Sequence, residues 1–185
     1  MSKLLKNRAF AWFVALVIMI LSVIAGAYTS YAAMRGTAVA AFEREMMPLV
    51  NQAMVHAHDI QSVALNYLSP AEITTFGIGR HVAEIQATDD PMRIFEHYVL
   101  LNRAVWDIYK RLIHTGDFPA MSDTNRTFII NFHADFVQID LLLYQAGYNN
   151  TAEDFNDALG SGLGFLAGPF IGEMPRFDLI EEETS

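Results

Sequence analysis

The 20 residues from Ala9 to Tyr28 (AFAWFVALVIMILSVIAGAY) carry no charged side chain. As a helix rising about 1.5 Å per residue they would extend roughly 30 Å, the thickness of a bilayer's hydrocarbon core. Trp12, Ser22 and the boundary Tyr28 are the only polar side chains inside, and all three are tolerated in or beside lipid. Whatever follows must therefore fold while tethered to a membrane. A cleaved signal peptide is the competing reading. The basic start and the small residues of Ser30-Tyr31-Ala32-Ala33 suit it. The length does not, since the apolar core of a signal peptide runs about 7–15 residues. Ala38, Val39, Ala41 and Phe42 also resume apolar spacing at once. An uncleaved single-pass anchor is the expectation.

Charge is unevenly divided along the chain. Lys3, Lys6 and Arg8 are three of the 12 basic residues, which leaves nine against 21 acidic residues in the remainder. By the positive-inside rule the N-terminus lies in the cytoplasm and the acidic part outside. A domain of that sign is repelled by phosphate backbones, so nucleic acid is excluded as a partner. The 157 residues after the span suffice for one domain with its own core, and a 52% hydrophobic composition excludes disorder. The absence of cysteine removes disulfides, thiolate nucleophiles and cysteine-ligated metals.

Past the span the apolar period is helical. Val39, Phe42, Met46, Leu49, Val50, Met54, Ile60, Val63, Ala64 and Tyr67 fall mostly three or four apart, and Pro48 predicts a kink or restart. Ser69-Pro70-Ala71-Glu72 reads as a capping box opening a weak helix over about 70–87, which contains Gly77 and Gly79. Asp90-Pro91 caps a third helix through Met92, Phe95, Val99, Trp106 and Leu112 to a stop at Gly116. After a loop over 117–121, Ser122 or Asp123 caps a fourth helix through Phe128, Phe132, Phe136 and Leu143, with a possible extension past Gly147 toward Leu159. No stretch alternates as a strand would. The fold expected is all-α, one transmembrane helix followed by an antiparallel bundle of about four helices. The organisation read is a basic tail (1–8), the span (9–28), a bundle (29–168) and an acidic C-terminal tail (169–185). Between Gly160 and Gly172, glycines interrupt the apolar Leu163, Phe165, Leu166, Phe170 and Ile171. A loop packed over the bundle's end is expected there, the alternative being a segment that dips back to the membrane interface.

A search for chemistry returns no constellation. His56 and His58 point about 200° apart on a helix and cannot share an ion. Glu-x-x-His, the spacing of di-iron bundles, is absent, and His81 with Glu84 has it only in reverse. There is no nucleophile elbow, Ser-x-x-Lys or phosphate loop. Asp107, Asp135, Asp140 and Glu96 read as solvated faces or partners of Arg103, Lys110, Arg111 and Arg126. No catalytic residue, cofactor or metal is expected.

Tyr28-Thr29-Ser30-Tyr31-Ala32-Ala33-Met34-Arg35 and Tyr148-Asn149-Asn150-Thr151-Ala152-Glu153-Asp154-Phe155-Asn156 resemble, in order and spacing, the membrane-exit and Tyr-Asn…Phe-Asn motifs of the LemA family of bacterial membrane proteins. His56–Leu68, containing Tyr67, is similar to the apolar helix between them. Gly160-Ser161-Gly162-Leu163-Gly164 departs from the family pattern of Phe-Pro-x-Asn-Leu. The resemblance implies a membrane-anchored antiparallel bundle with no established activity. It also reopens orientation, since members have been drawn with a short external N-terminus. Tyr28, Arg35, Tyr67, Tyr148, Asn149, Phe155 and Asn156 then form a structural signature, in which Tyr148 and Phe155 pack inward from a helix and Asn149 and Asn156 bond neighbouring backbone or a facing helix.

Two functions follow. The first is a non-catalytic envelope scaffold, interaction or sensing module with protein partners, for which self-association is open. The second is a sensor domain binding a small molecule or metal between its helices, where the acidic face and His81, His97, His114 and His133 would favour cations.

Overall fold

The computed structural model describes Arg8–Asp178 other than Thr115 and Asp117, and shows helices and no strand among those residues. Lys3, Lys6 and the acidic run 181–185 lie outside them. The apolar run begins α1 (Arg8–Ala41), which a π turn over Phe42–Met46 joins to α2 (Met47–Ala64). Among the described residues this is the one helix long and apolar enough to cross a membrane, and its most apolar window, of mean hydropathy 2.6, is unburied. The π turn lies just upstream of Pro48, and Met47 N–H bonds Phe42 O, five residues back. Proline lacks an N–H and crowds the carbonyl four residues before it. One wider turn absorbs both, so the helix restarts as expected.

Ser69 opens α3 (Pro70–Phe76). Its hydroxyl accepts from Glu72 N–H and its own N–H donates to Glu72 at 3.0 Å, the reciprocal pairing expected of the sequence. The single helix expected over 70–87 is instead two. Gly77 takes a left-handed conformation (φ 71°), which ends α3 before α4 (Ile78–Gln86) begins. Asp90 then caps α5 (Pro91–His114), accepting from Met92 N–H. A short 3₁₀ turn at Phe118–Ala120 falls in the region expected to be loop. Ser122, rather than Asp123, caps α6 (Asp123–Gln145). Ala146 is extended, so α7 (Gly147–Gly160) is a separate helix and not a continuation.

The chain divides into two compact units. One takes the chain as far as Ala40 together with Thr151–Met174; the other takes Ala41–Asn150 with the segment from Pro175. In the second, α2 packs against α4, α5 and α6, and α5 against α3 and α4. Val50, Ala57 and Ile60 from α2, Ile78 and Ile85 from α4, Leu101, Val105, Ile108 and Leu112 from α5, and Ile129, Phe132, Phe136 and Ile139 from α6 are buried. Each Val, Leu, Ile or Phe side chain so enclosed contributes about 1.5–3 kcal/mol. Phe132 and Phe136 stack at 5.4 Å, the core stripe that their four-residue spacing predicts.

The first unit corrects one expectation. The glycine-punctuated stretch is not a loop, because Gly164–Ile171 forms a helix, α8. A side chain at Gly164 would run into the carbonyl oxygens of Ala158 and Leu159 at the end of α7. Glycine is what lets α8 start against that turn, so here it permits close packing instead of flexibility.

Candidate functional site

In the second unit, three polar side chains meet among apolar neighbours. Tyr98 and Asn102, four apart on α5, lie on one helix face and are both buried. Asp140 on α6 faces them. It accepts from Tyr98 Oη at 2.5 Å and from Asn102 Nδ2 at 2.8 and 2.9 Å. Burial raises the Asp140 carboxyl above its ordinary range, against the lowering effect of those two donors. Burial and the neighbouring carboxylate push the Tyr98 hydroxyl well up, so it is a fixed donor and not a base. Asp140, the more buried of two lining carboxylates, and the exposed Asp178 share a cavity of about 140 Å³ with Phe95, Tyr98, Val99, Leu143 and Phe177. Reading Asp140 as a solvated face or a partner of the basic residues is therefore incorrect. Arg111 pairs with Glu72 at 3.1 Å, and Arg126 with Asp123. The readable signal was on α5, where a tyrosine and an asparagine at i and i+4 interrupt the buried stripe of Ile94, Leu101 and Val105.

The wall contributed by Phe177 is held from α7. Asn149 Oδ1 accepts from Phe177 N–H at 3.0 Å, and Nδ2 donates to Phe177 O at 3.2 Å, a two-point pairing with the backbone. The same Nδ2 donates to Leu143 O and Tyr144 O, at the end of α6. Tyr148 Oη donates to Pro175 O at 2.8 Å, and its ring meets Phe42 edge-on at 5.2 Å. The Phe177 ring packs on Phe95 at 4.9 Å and Tyr98 at 5.5 Å. In the other unit Asn156 repeats the device on Met174, donating to its carbonyl at 2.8 Å and accepting from its N–H at 2.9 Å, while Phe155 is buried. Of the remaining signature residues, Tyr67 accepts from Asn125 Nδ2 at 2.7 Å, away from the cavity lining. Tyr28 and Arg35 lie on α1.

His81 and His97 approach Nδ1 to Nδ1 at 3.4 Å, Arg80 lies 3.4 Å from His81 Nε2, and Glu84 lies 4.0 Å from His97 Nε2. Arg80, His81 and His97 thus form a chain of contacts through both nitrogens of His81, with Glu84 at ion-pair distance from the far nitrogen of His97. Burial, then Arg80 and His97, lower the His81 pKa and favour its neutral form. His56 sits edge-on to the Phe132 ring. Among the described residues no three histidines or carboxylates are placed to hold one ion.

No family model, curated protein or solved structure matches the chain. The resemblance to LemA proteins thus stands on the quoted motif residues alone.

Proposed function

We propose that this chain is a membrane-anchored, non-catalytic helical bundle of the bacterial cell envelope that senses a small organic cation in the cavity lined by Asp140. In this reading α1 is a single-pass anchor with its basic N-terminus in the cytoplasm and the bundle outside, as the positive charge before the span favours. The LemA-like motifs fit a structural role that braces the cavity wall.

One observation carries the proposal: a half-buried carboxylate in a cavity walled by Phe95, Tyr98 and Phe177. The cost of holding that charge away from water is offset if a ligand ammonium completes it, and aromatic faces favour the same cation. A cavity of this volume suits a benzene-sized group. The hydroxyl bonded to Asp140, that of Tyr98, is buried and held protonated, so binding rather than turnover is the chemistry the site supports.

The test is a thermal shift of the full chain in mild detergent with benzylammonium, benzyl alcohol and benzoate. At about 100 times its dissociation constant a ligand adds ~2.7 kcal/mol, or roughly 5–10 °C for a chain of this size. Benzylammonium alone should give the shift, and Asp140→Asn should abolish it. Equal shifts with the neutral alcohol, or none with the ammonium, would sink the proposal. A second reading, an interaction scaffold, is favoured by Ile130, Val137 and Tyr144, exposed seven apart on α6. Its occupant would be a second copy of the chain, and Val137→Lys should then dissociate a dimer seen by light scattering.

A further inference from the structure

Between Asp157 and Glu173 the chain runs for 15 residues without a charged side chain, and this stretch holds α8. Asp157 and Glu173 are both exposed. Just outside them, Asn156 donates to Met174 O and accepts from Met174 N–H, so the excursion is closed at its neck. Its one polar side chain, Ser161, donates to Ala158 O at 3.2 Å. The N–H groups of Gly164, Leu166 and Gly172 are likewise taken up within it, by Ser161 O, Leu163 O and Gly168 O. What the excursion displays is hydrocarbon. Phe165 and Phe170 are 65% and 78% exposed, and Leu163 is exposed as well. Side chains of that size, grouped on one short helix, have no place in water.

The neighbour of α8 fixes what covers it. Leu166, Ala167 and Phe170 line a groove of about 750 Å³ together with Leu21, Ile24 and Tyr28 of α1. Leu21 and Ile24 are themselves exposed, so the apolar faces of α1 and α8 make one surface across the groove. Both residues fall inside the uncharged run that ends at Tyr28. Leu21 precedes Tyr28 by about 10 Å of helix, less than the roughly 15 Å of hydrocarbon in one leaflet. Where α1 crosses a bilayer, a helix packed beside Leu21 and Ile24 stands at the depth of the acyl chains.

We propose that α8 is a non-spanning membrane helix, immersed beside α1 in the leaflet nearest Tyr28, with lipid acyl chains covering Phe165 and Phe170 and filling the groove. The proposal rests on α1 being the anchor and is independent of the cation cavity. Hydrocarbon offers no water to satisfy polar groups, a demand the stretch meets by turning Ser161 and those N–H groups onto its own carbonyls. With no charge between Asp157 and Glu173, the contact selects no headgroup, and zwitterionic lipid is a sufficient partner.

Because the chain has no cysteine, single nitroxide labels can be attached at Phe165→Cys, Phe170→Cys, Ile18→Cys and Val55→Cys, all exposed positions where a label displaces no core side chain. Each full-length variant is reconstituted in phosphatidylcholine vesicles, and power-saturation paramagnetic resonance reads its collisions with oxygen and with a neutral, polar nickel chelate. Ile18 reports α1, and Val55 on α2 is the reference in water. At Phe165 and Phe170 the oxygen-to-nickel ratio should match that at Ile18 and exceed that at Val55 by about tenfold or more, since a polar complex is kept out of hydrocarbon. Nickel access at either position, with Ile18 protected, would overturn the proposal and leave the anchor standing. Labels at Phe165 and Phe170 reached by neither reagent would mean that a polypeptide covers this face, and would overturn it too. Nickel access at Ile18 would remove the anchor and the proposal with it.

Discussion

Replacing Asn149 by alanine should release the C-terminal segment while leaving the rest of its unit folded. The side chain makes four hydrogen bonds, three donated by Nδ2 and one accepted by Oδ1. Their loss is unequal. Leu143 O still accepts from Ala146 N–H, and Tyr144 O is only partly buried. Phe177 N–H and O are buried and lose their partners outright. Leaving a buried backbone group unpaired costs about 1–3 kcal/mol, so two of them cost roughly 3 kcal/mol or more. Against this, the Phe177 ring is 3% exposed, and its burial still contributes about 2 kcal/mol. The segment should therefore open locally more often without detaching fully. Trypsin cleavage after Arg176 measures that population when reclosing outpaces cleavage. A change of ~3 kcal/mol corresponds to about a hundredfold faster cut, while sites within α5 such as Arg103 should gain much less. Asn149→Asp should be at least as damaging, because it keeps the acceptor, loses both amide N–H donors with their three contacts and buries a charge. If Asn149→Ala is cut at the unaltered rate, the two-point pairing with Phe177 does not hold the segment.

Four further outcomes follow from the same physics. Asp140→Ala strands the Tyr98 hydroxyl and the Asn102 amide and should cost roughly 2–5 kcal/mol in urea denaturation. Because the Asp140 pKa is raised on folding, the folded chain holds a proton longer than the unfolded one. That stabilisation is full below the ordinary carboxylate value and is lost as pH rises through the higher folded value, so Asp140→Asn should gain relative to the unaltered chain as pH rises across that interval; a flat difference would refute the assignment. Gly164→Ala must push aside two carbonyl oxygens of α7 and should cost about 1–3 kcal/mol, read as lost hydrogen-exchange protection over Leu166–Ile171. Ser69→Ala removes both hydroxyl contacts of the capping box and should lower stability by about 1 kcal/mol, with urea midpoints as the check.

Local rules made most of the helices readable, because caps and apolar periods act over three or four residues. Ser69, Asp90 and Ser122 each cap a helix from within the sequence that follows them. Gly77 and Gly164 show where such reading stops. Both are glycines in apolar surroundings, yet one breaks a helix by adopting a positive φ and the other builds one by admitting a neighbouring carbonyl. Composition is the same in the two cases, and only the tertiary contact differs. The Tyr98–Asn102–Asp140 cluster was hidden for a related reason. Its members are 38 and 42 residues apart across α5 and α6, and a single aspartate on an amphipathic helix carries no mark of which way it turns. The paired asparagines of α7 were legible as structural residues, but not their target, because the bonded backbone lies 18 residues beyond Asn156 and 28 beyond Asn149.

The target matters because Phe177 belongs to two arrangements at once: Asn149 fixes its backbone, and its ring walls the cavity over Asp140. A ligand that needs the wall in place must favour the closed segment, and by linkage the closed segment must favour the ligand by the same factor. If benzylammonium binds only the closed form, saturation at about 100 times its dissociation constant should slow trypsin cleavage after Arg176 about a hundredfold. Asn149→Ala should weaken binding by however much the open form then dominates. Both effects must appear together. Slower cleavage without weaker binding in Asn149→Ala, or the reverse, would place the ligand somewhere other than against Phe177. Joint failure in a chain that still binds benzylammonium through Asp140 would mean that the segment closes independently of the site it covers.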